Sequence, residues 1–423
     1  MISISILGYI LIPVGIILSF KKDIYLLYAT ILTCGLTGSS VINLGETAIQ
    51  PSYYFAILWL IKRMISVLVY KKTIKIDKIS KIIITFCIVC SISIIMPFIL
   101  NGKLTVLTID DKFETLHFTF SNITQLIYIL FCIVYFVNLH NWLKGSDKKK
   151  ETVKRYFKLS IYITVVITIY QIFAYKVNLP FDVIFKTGVH MEKNTAIFWD
   201  TRISGPCLEA SMLAYYLIAS LPIITEKMKS TLDYILLFVI ILLGISSQSS
   251  TFLVGFFVWI IYMVISSIKN GKISYKTIVS AIAILILGFV LVLFNTQLFK
   301  LTMDMLQAFI TKIRLDNISG VDRMSAFNLL LNGFKKSPLM GIGFGSSRGK
   351  DLFSTWLANI GILGMGVFIY FVIYGLKKGN CQWRVSVVLV LICMFISVPE
   401  PYNLFIWIIM AVAMHKSYKI NEE

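Results

Sequence analysis

Thr201-Arg-Ile-Ser-Gly-Pro-Cys-Leu-Glu209 runs straight into the long apolar run Ala210–Leu221, so a polar turn carrying an arginine opens directly into hydrophobic sequence. Proline suits the first turn of a helix, where its missing amide hydrogen costs nothing, and serine or glycine before it suits the cap. The stretch therefore predicts a helix beginning at Pro206, with its free amides and positive dipole end turned toward the loop. Ser204, Gly205 and Arg202 above them would form an anion site. The apolar run predicts that the helix enters a membrane, where an arginine at its mouth is costly unless something anionic uses it. Two readings of Arg202 fit: it holds such an anion, or it snorkels to lipid headgroups.

The rest of the chain supports the membrane half of this reading. Of 423 residues, 57% are hydrophobic and only 14% charged, and the mean hydropathy is +0.83. Apolar runs near the roughly 20 residues needed to cross hydrocarbon cover 2–20, 24–43, 52–70, 82–100, 119–139, 159–176, 206–225, 232–246, 252–268, 277–295, 354–376, 385–398 and 403–414. The expectation is an all-α polytopic membrane protein of about 12–13 transmembrane helices forming one domain over residues 1–423. With no basic stretch before the first run and no small-residue cleavage pattern, that run is expected to be a retained helix rather than a signal peptide.

Forty Lys and Arg against 21 Asp and Glu give a net charge of +19. The basic residues fall in every second short loop: Lys21-Lys22, Lys71 to Lys81, Lys144 to Lys158, Lys227 with Lys229, Lys269 to Lys276, Lys377-Lys378 with Arg384, and Lys416 with Lys419. That alternation assigns those loops to the cytoplasm and the charge to anionic lipid rather than nucleic acid. The N-terminus is then outside and the C-terminus inside. Lys62 and Arg63 fall in the middle of the third run, where each would cost about 2.5–3.5 kcal/mol if exposed to lipid.

On the opposite side the longest loop is 296–353. Within it Ser319-Gly-Val-Asp322 reads as a capping box, with Met324, Phe327, Leu331 and Phe334 at helical spacing before Asn332-Gly333 and Pro338. This predicts an amphipathic helix with Arg323 in its first turn and Arg314 and Arg348 nearby in sequence. Two guanidinium groups converging from different loops would hold a pyrophosphate. The run Gly341-Ile-Gly343-Phe-Gly345 is not a nucleotide loop, since Gly349-Lys350 is followed by Asp351 and no strand–helix unit surrounds it. These glycines either let backbone pack closely or approach a ligand.

Titratable groups expected on this side are few: Asp110, Asp111, Glu114, His117, Asp182, His190, Glu192, Asp200, Glu209, Asp304 and Asp322. Glu209 follows Arg202 by about two helical turns and reads either as a general base or as a capping or ion-pairing carboxylate. Asp110-Asp111 reads as a solvated acid pair rather than a divalent-cation site. With four histidines, none paired, and Cys87 and Cys90 alone as a C-x-x-C inside an apolar run, no metal site is expected.

Three segments resemble the O-antigen polymerase and ligase superfamily of integral membrane glycosyltransferases. They are Arg202 to Ala214, similar to an Arg-x-x-Gly followed by a span; Ser246 to Gly255, similar to a serine-rich lead into a later span; and Arg323 through Lys336-Ser-Pro338-Leu-Met-Gly341-Ile-Gly343-Phe-Gly345, closing with Gly361-Ile-Leu-Gly364. The resemblance spans roughly the C-terminal half. It implies a GT-C-like fold in the bacterial inner membrane and a metal-independent, cofactor-free inverting transfer on the periplasmic face. The implied donor is an undecaprenyl-pyrophosphate-linked glycan, the implied partners membrane lipid and a chain-length regulator protein. Carried over residue by residue, Arg202 and Arg323 would stabilise the pyrophosphate leaving group, whereas Glu209 sits where the family is variable, and its part as base comes from the residue reading above. Ser204, Gly205, His190, Arg314, Gly341, Gly343 and Arg348 would contact substrate. Ligases of the superfamily carry a histidine near the helix after the long loop. Lys350-Asp351-Leu-Phe-Ser354 has none, which favours a polymerase of O-antigen or capsular polysaccharide over a ligase. The third alternative is a lipid-glycan flippase, with Lys62 and Arg63 lining its path.

Overall fold

The computed structural model describes residues 2–45, 47–71, 76–108, 111–188, 202–226, 228, 230–269, 303, 307, 318–379, 382–399 and 401–415. The expected span 277–295, together with His190 and Arg314, lies outside them. Helices dominate. In chain order they are α1 (Ile6–Ser19), α2 (Asp23–Leu32), α3 (Pro51–Tyr70), α4 (Lys78–Ser93), the short α5 (Met96–Ile99), α6 (Phe120–Leu143), α7 (Asp147–Lys176), the short α8 (Asp182–Phe185), α9 (Ala210–Thr225), α10 (Thr231–Ser246), α11 (Ser250–Lys269), α12 (Ile318–Lys336), α13 (Leu352–Lys378), α14 (Trp383–Ser397) and α15 (Leu404–Ala413).

The helices start where polar residues can satisfy their first amides. Asp77 accepts from the Ser80 amide ahead of α4, Ser146 caps α7, and reciprocal capping boxes join Thr119 with Asn122 and Ser230 with Asp233. Among the described residues six helical stretches are long and apolar enough to cross a membrane: 51–69, 78–99, 120–143, 147–176, 250–268 and 352–377. Six further apolar helices have 10–17 residues, shorter than a straight crossing requires.

The core runs through α15, every residue of which is buried, and α9, buried from Leu213 to Ile224. A helix apolar all round is stable only when surrounded. Peripheral helices instead show apolar side chains outward: Met64 on α3 and Phe257 on α11 are each 64% exposed. Such surface suits hydrocarbon, where helices associate by close packing rather than by escape from water.

Loops collect at two ends of the bundle. At one end the basic stretches meet: Asp77 holds His140 at 3.0 Å and Lys144 at 3.3 Å, Glu226 holds Lys154 at 3.0 Å, and the Trp383 indole donates to Glu226 at 3.1 Å. At the other end the Gly38 amide donates to the Pro206 carbonyl at 2.8 Å, and the Ser40 amide to the Thr187 hydroxyl at 2.8 Å. Stretches that flank several of the lysine-rich loops, around Asp77, Lys144, Lys154, Glu226 and Trp383, thus pack near one another.

Three expectations change. First, the fold is not purely helical: β1 (Ile2–Ile4), β2 (Ile42–Leu44) and β3 (Thr47–Ile49) form an antiparallel sheet, and β4 (Thr105–Leu107) pairs antiparallel with β5 (Phe113–Thr115). Three-residue strands are too short to display an alternating pattern. Second, α9 starts at Ala210, not Pro206, because the Pro206 carbonyl is taken by Gly38 and Gly205 is left-handed at φ +55°. Third, α12 already includes Ser319 and continues through Asn332-Gly333 to Lys336. Its buried face is Ala326, Leu330 and Gly333, leaving Met324 and Phe327 exposed. Lys62 and Arg63 lie inside the stretch 51–69, as read from the sequence, and the structure supplies their surroundings. Lys62 donates to the carbonyls of Ser19 (2.6 Å) and Lys21, closing the end of α1, and Arg63 lies 3.9 Å from Asp23. The turn after the short α1 falls level with them.

Candidate functional site

The turn that carries Arg202 is held from two sides. From α7, Gln171 accepts from the amides of Ser204 (3.2 Å) and Gly205 (2.7 Å). Just past α8, the Lys186 ammonium donates to the Ser204 hydroxyl at 2.8 Å and to the Cys207 carbonyl. Gly205 is required here, since a Cβ would lie 2.3 Å from the Thr168 hydroxyl. The amides predicted to bind an anion are therefore already engaged, and Ser204 and Gly205 act as fasteners of the turn. Lys186 is 8% exposed, and burial pushes its ammonium down to about 8, against the opposing pull of Cys207, Asp182 and Glu209.

So fastened, the chain delivers Arg202 to a point where its guanidinium donates to the Gln248 carbonyl, at the turn between α10 and α11, at 3.3 Å. Arg323, from α12, donates to the Ile396 carbonyl near the end of α14 at 3.4 Å. Both carbonyls belong to the end of the bundle opposite the lysine cluster. Burial pushes both guanidiniums below their ordinary value; the Glu209 carboxylate opposes this at each of them, and the Arg323 charge acts on Arg202. Two arginines far apart in the chain thus come within electrostatic reach of one another and of one carboxylate. A guanidinium keeps its proton in a protein, so the shift measures the cost of hiding charge, a cost that a bound anion relieves.

Glu209 occupies the cap position before α9, yet its side chain makes no cap bond. It is exposed and accepts from the Ser211 hydroxyl at 3.0 Å. Asp351 does cap, accepting from the Ser354 amide at 2.7 Å and hydroxyl at 2.6 Å ahead of α13. Burial raises its carboxyl, Ser354 and the Arg323 charge lower it, and it in turn acts on Arg323.

The glycine-rich turn has a different task. Gly361 breaks α13 with φ +62° and ψ −166°, a combination only glycine adopts readily, and a Cβ there would meet the Leu339 carbonyl oxygen at 2.3 Å. The turn fills the break: Ile362 donates to Pro338 (2.8 Å), Ile342 to Ala358 (2.8 Å) and Gly343 to Asn359 (3.0 Å). The Asn359 side chain accepts from the Ser347 amide and donates back to the Ser347 carbonyl. Gly341 and Gly343, at φ +71° and +111°, are buried and their amides are used internally. Of the two readings of these glycines, close backbone packing is the one the geometry matches. Arg348 follows on this turn, its amide donating to Leu107 of β4 at 2.9 Å.

Sequence reasoning missed Gln171, Lys186 and Asn359. Lys186 carried little signal, since Lys103, Lys112, Lys193, Lys335, Lys336 and Lys350 also fall in the set of loops opposite the basic stretches. Gln171 and Asn359 carried none, as polar residues inside apolar runs have many roles. Among the described residues no group of three or more His, Cys, Asp or Glu could hold a metal ion. Neither known protein families nor curated proteins give a match to this sequence.

Proposed function

We propose that the chain is a membrane glycosyltransferase of the O-antigen polymerase type, joining undecaprenyl-pyrophosphate-linked oligosaccharide units at the end of the bundle that carries Arg202 and Arg323, on the periplasmic or outer face. One observation carries the reading: two half-hidden arginines from distant segments come within electrostatic reach of one another and of Glu209, at the end opposite the lysine-rich loops. In this reaction an acceptor sugar hydroxyl attacks the anomeric carbon of the donor while the bond from that carbon to the pyrophosphate oxygen breaks, with inversion. The hydroxyl proton passes to Glu209 and the leaving pyrophosphate takes its negative charge to the arginines. Preorganised donors at a developing charge are typically worth about 10²–10³ in rate each.

Lys62, which a flippase path would use together with Arg63, is bonded to carbonyls at the end of α1 near the basic end, so the transferase reading is preferred. The test is Arg202→Ala and Arg323→Ala at equal protein level. Each is expected to shorten surface polymer on gels to single repeat units, and unchanged polymer length sinks the reading. A deletion strain separates the ligase alternative, which leaves no unit on the final acceptor.

A further inference from the structure

The parallel helices α3 and α6 pack at Tyr53–Tyr128 and Trp59–Tyr135, with ring centroids 6.3 and 5.5 Å apart. On their outer side they leave a groove of about 510 Å³, within the range of small-molecule pockets and enough for part of an acyl chain. Its floor is apolar, including Ile57, Ile61, Met64, Phe131 and Val134, and only Arg63 and Asn138 are polar. Equal steps from the Tyr53–Tyr128 contact place these two at one level, about 15 Å along the helices. That is also the level of the α1–α2 turn, to which Lys62 is bonded.

Arg63 is not satisfied where it stands. Its Nε is buried and makes no hydrogen bond, and the Asp23 carboxylate at 3.9 Å is too far to supply one. Trp59 lies against the guanidinium at 5.9 Å, and Lys149 is within its electrostatic reach. Lys21 and Lys22 are exposed on the adjoining turn. An apolar slot closed at one level by a guanidinium whose Nε lacks an acceptor, with Asp23 and several cations around it, complements an anionic amphiphile.

We infer that the α3–α6 groove binds an anionic glycerophospholipid, an acyl chain lying along Ile57, Ile61 and Val134 and the phosphate accepting from Arg63. The inference is independent of the transferase reading, since the groove lies toward the opposite end of the bundle.

The test uses the full chain in phosphatidylcholine nanodiscs doped with phosphatidylglycerol bearing a photoreactive acyl chain. Adducts are expected on Met64 and Val134, displaced by unlabelled phosphatidylglycerol and not by phosphatidylcholine. Arg63→Gln should cut them about fivefold, the weight of one basic residue at an anionic headgroup, and Arg63→Lys should restore most of the yield. Met64→Trp, which fills the slot and keeps the charge, should remove the Val134 adduct. Equal labelling by a phosphatidylcholine probe, as an unselective surrounding lipid would give, overturns the inference. So does groove labelling that Arg63→Gln or, should that variant misfold, Met64→Trp leaves intact.

Discussion

The Lys186 ammonium donates to the Ser204 hydroxyl at 2.8 Å, tying the segment after α8 to the turn that presents Arg202. Its other acceptor is the Cys207 carbonyl, so a buried cation is held by neutral oxygens. An arrangement of that kind costs stability wherever the lysine is charged, and it persists because it fixes the turn.

The sign of the resulting pH dependence follows from the depressed value of about 8 against the ordinary 10.5. Below pH 8 folded and unfolded chains both carry the proton and the full cost of burial applies. Between pH 8 and 10.5 only the unfolded chain keeps it, so stability rises with pH, by at most roughly 3 kcal/mol. Lys186→Met should flatten this rise. The check is the melting temperature of detergent-purified wild type and variant from pH 7 to 10, and parallel curves would refute it.

Gly361→Ala should be severely destabilising. The position combines a glycine-only backbone with a Cβ 2.3 Å from the Leu339 oxygen, so strain of about 1–3 kcal/mol adds to a clash with rigid backbone. Gly366→Ala, five residues on in the same helix, meets nothing within 4 Å and should be neutral or stabilising by about 0.5–1 kcal/mol. Comparing purified yield and melting temperature of the two variants tests the assignment of the break.

Glu209→Gln keeps the shape of the side chain and removes its charge. If Glu209 takes the acceptor proton, the rate of unit joining by purified protein should fall by about 10²-fold or more with little change in the concentration of substrate needed. Unchanged turnover would leave it only as a screen between the arginines.

Lys62→Met should lower the melting temperature and leave polymer formation alone. Lys62 satisfies carbonyls at the end of α1, worth about 1 kcal/mol, and that end lies away from the two arginines. Loss of polymerisation at normal stability would contradict this placement.

Much of the architecture was legible in the chain itself. Apolar runs located most of the helices, since a run such as Phe120–Leu143 has one stable solution in hydrocarbon. Arg202, Arg323 and Glu209 were legible as residue types whose placement beside apolar runs is costly without a use. The start of α9 was misread because local preference favours Pro206 at a first helical turn, while a bond from Gly38, remote in sequence, claims its carbonyl. Lys62 and Arg63 were legible as charges inside a span that need partners, but the partners were not, because a sequence does not say that α1 is short and that its turn comes level with them.

What the sequence determined by itself is therefore what depends on nearest neighbours and on solvent: which segments are helical and which are apolar enough for a membrane. What only the tertiary structure decided is where separated segments meet. That Arg202 and Arg323 come within electrostatic reach of one carboxylate, that Lys186 and Gln171 fasten one turn, and that the glycine-rich run fills the break in α13 all rest on how residues far apart in the chain are brought together. Packing geometry fixes such contacts, and no local pattern of residues encodes it.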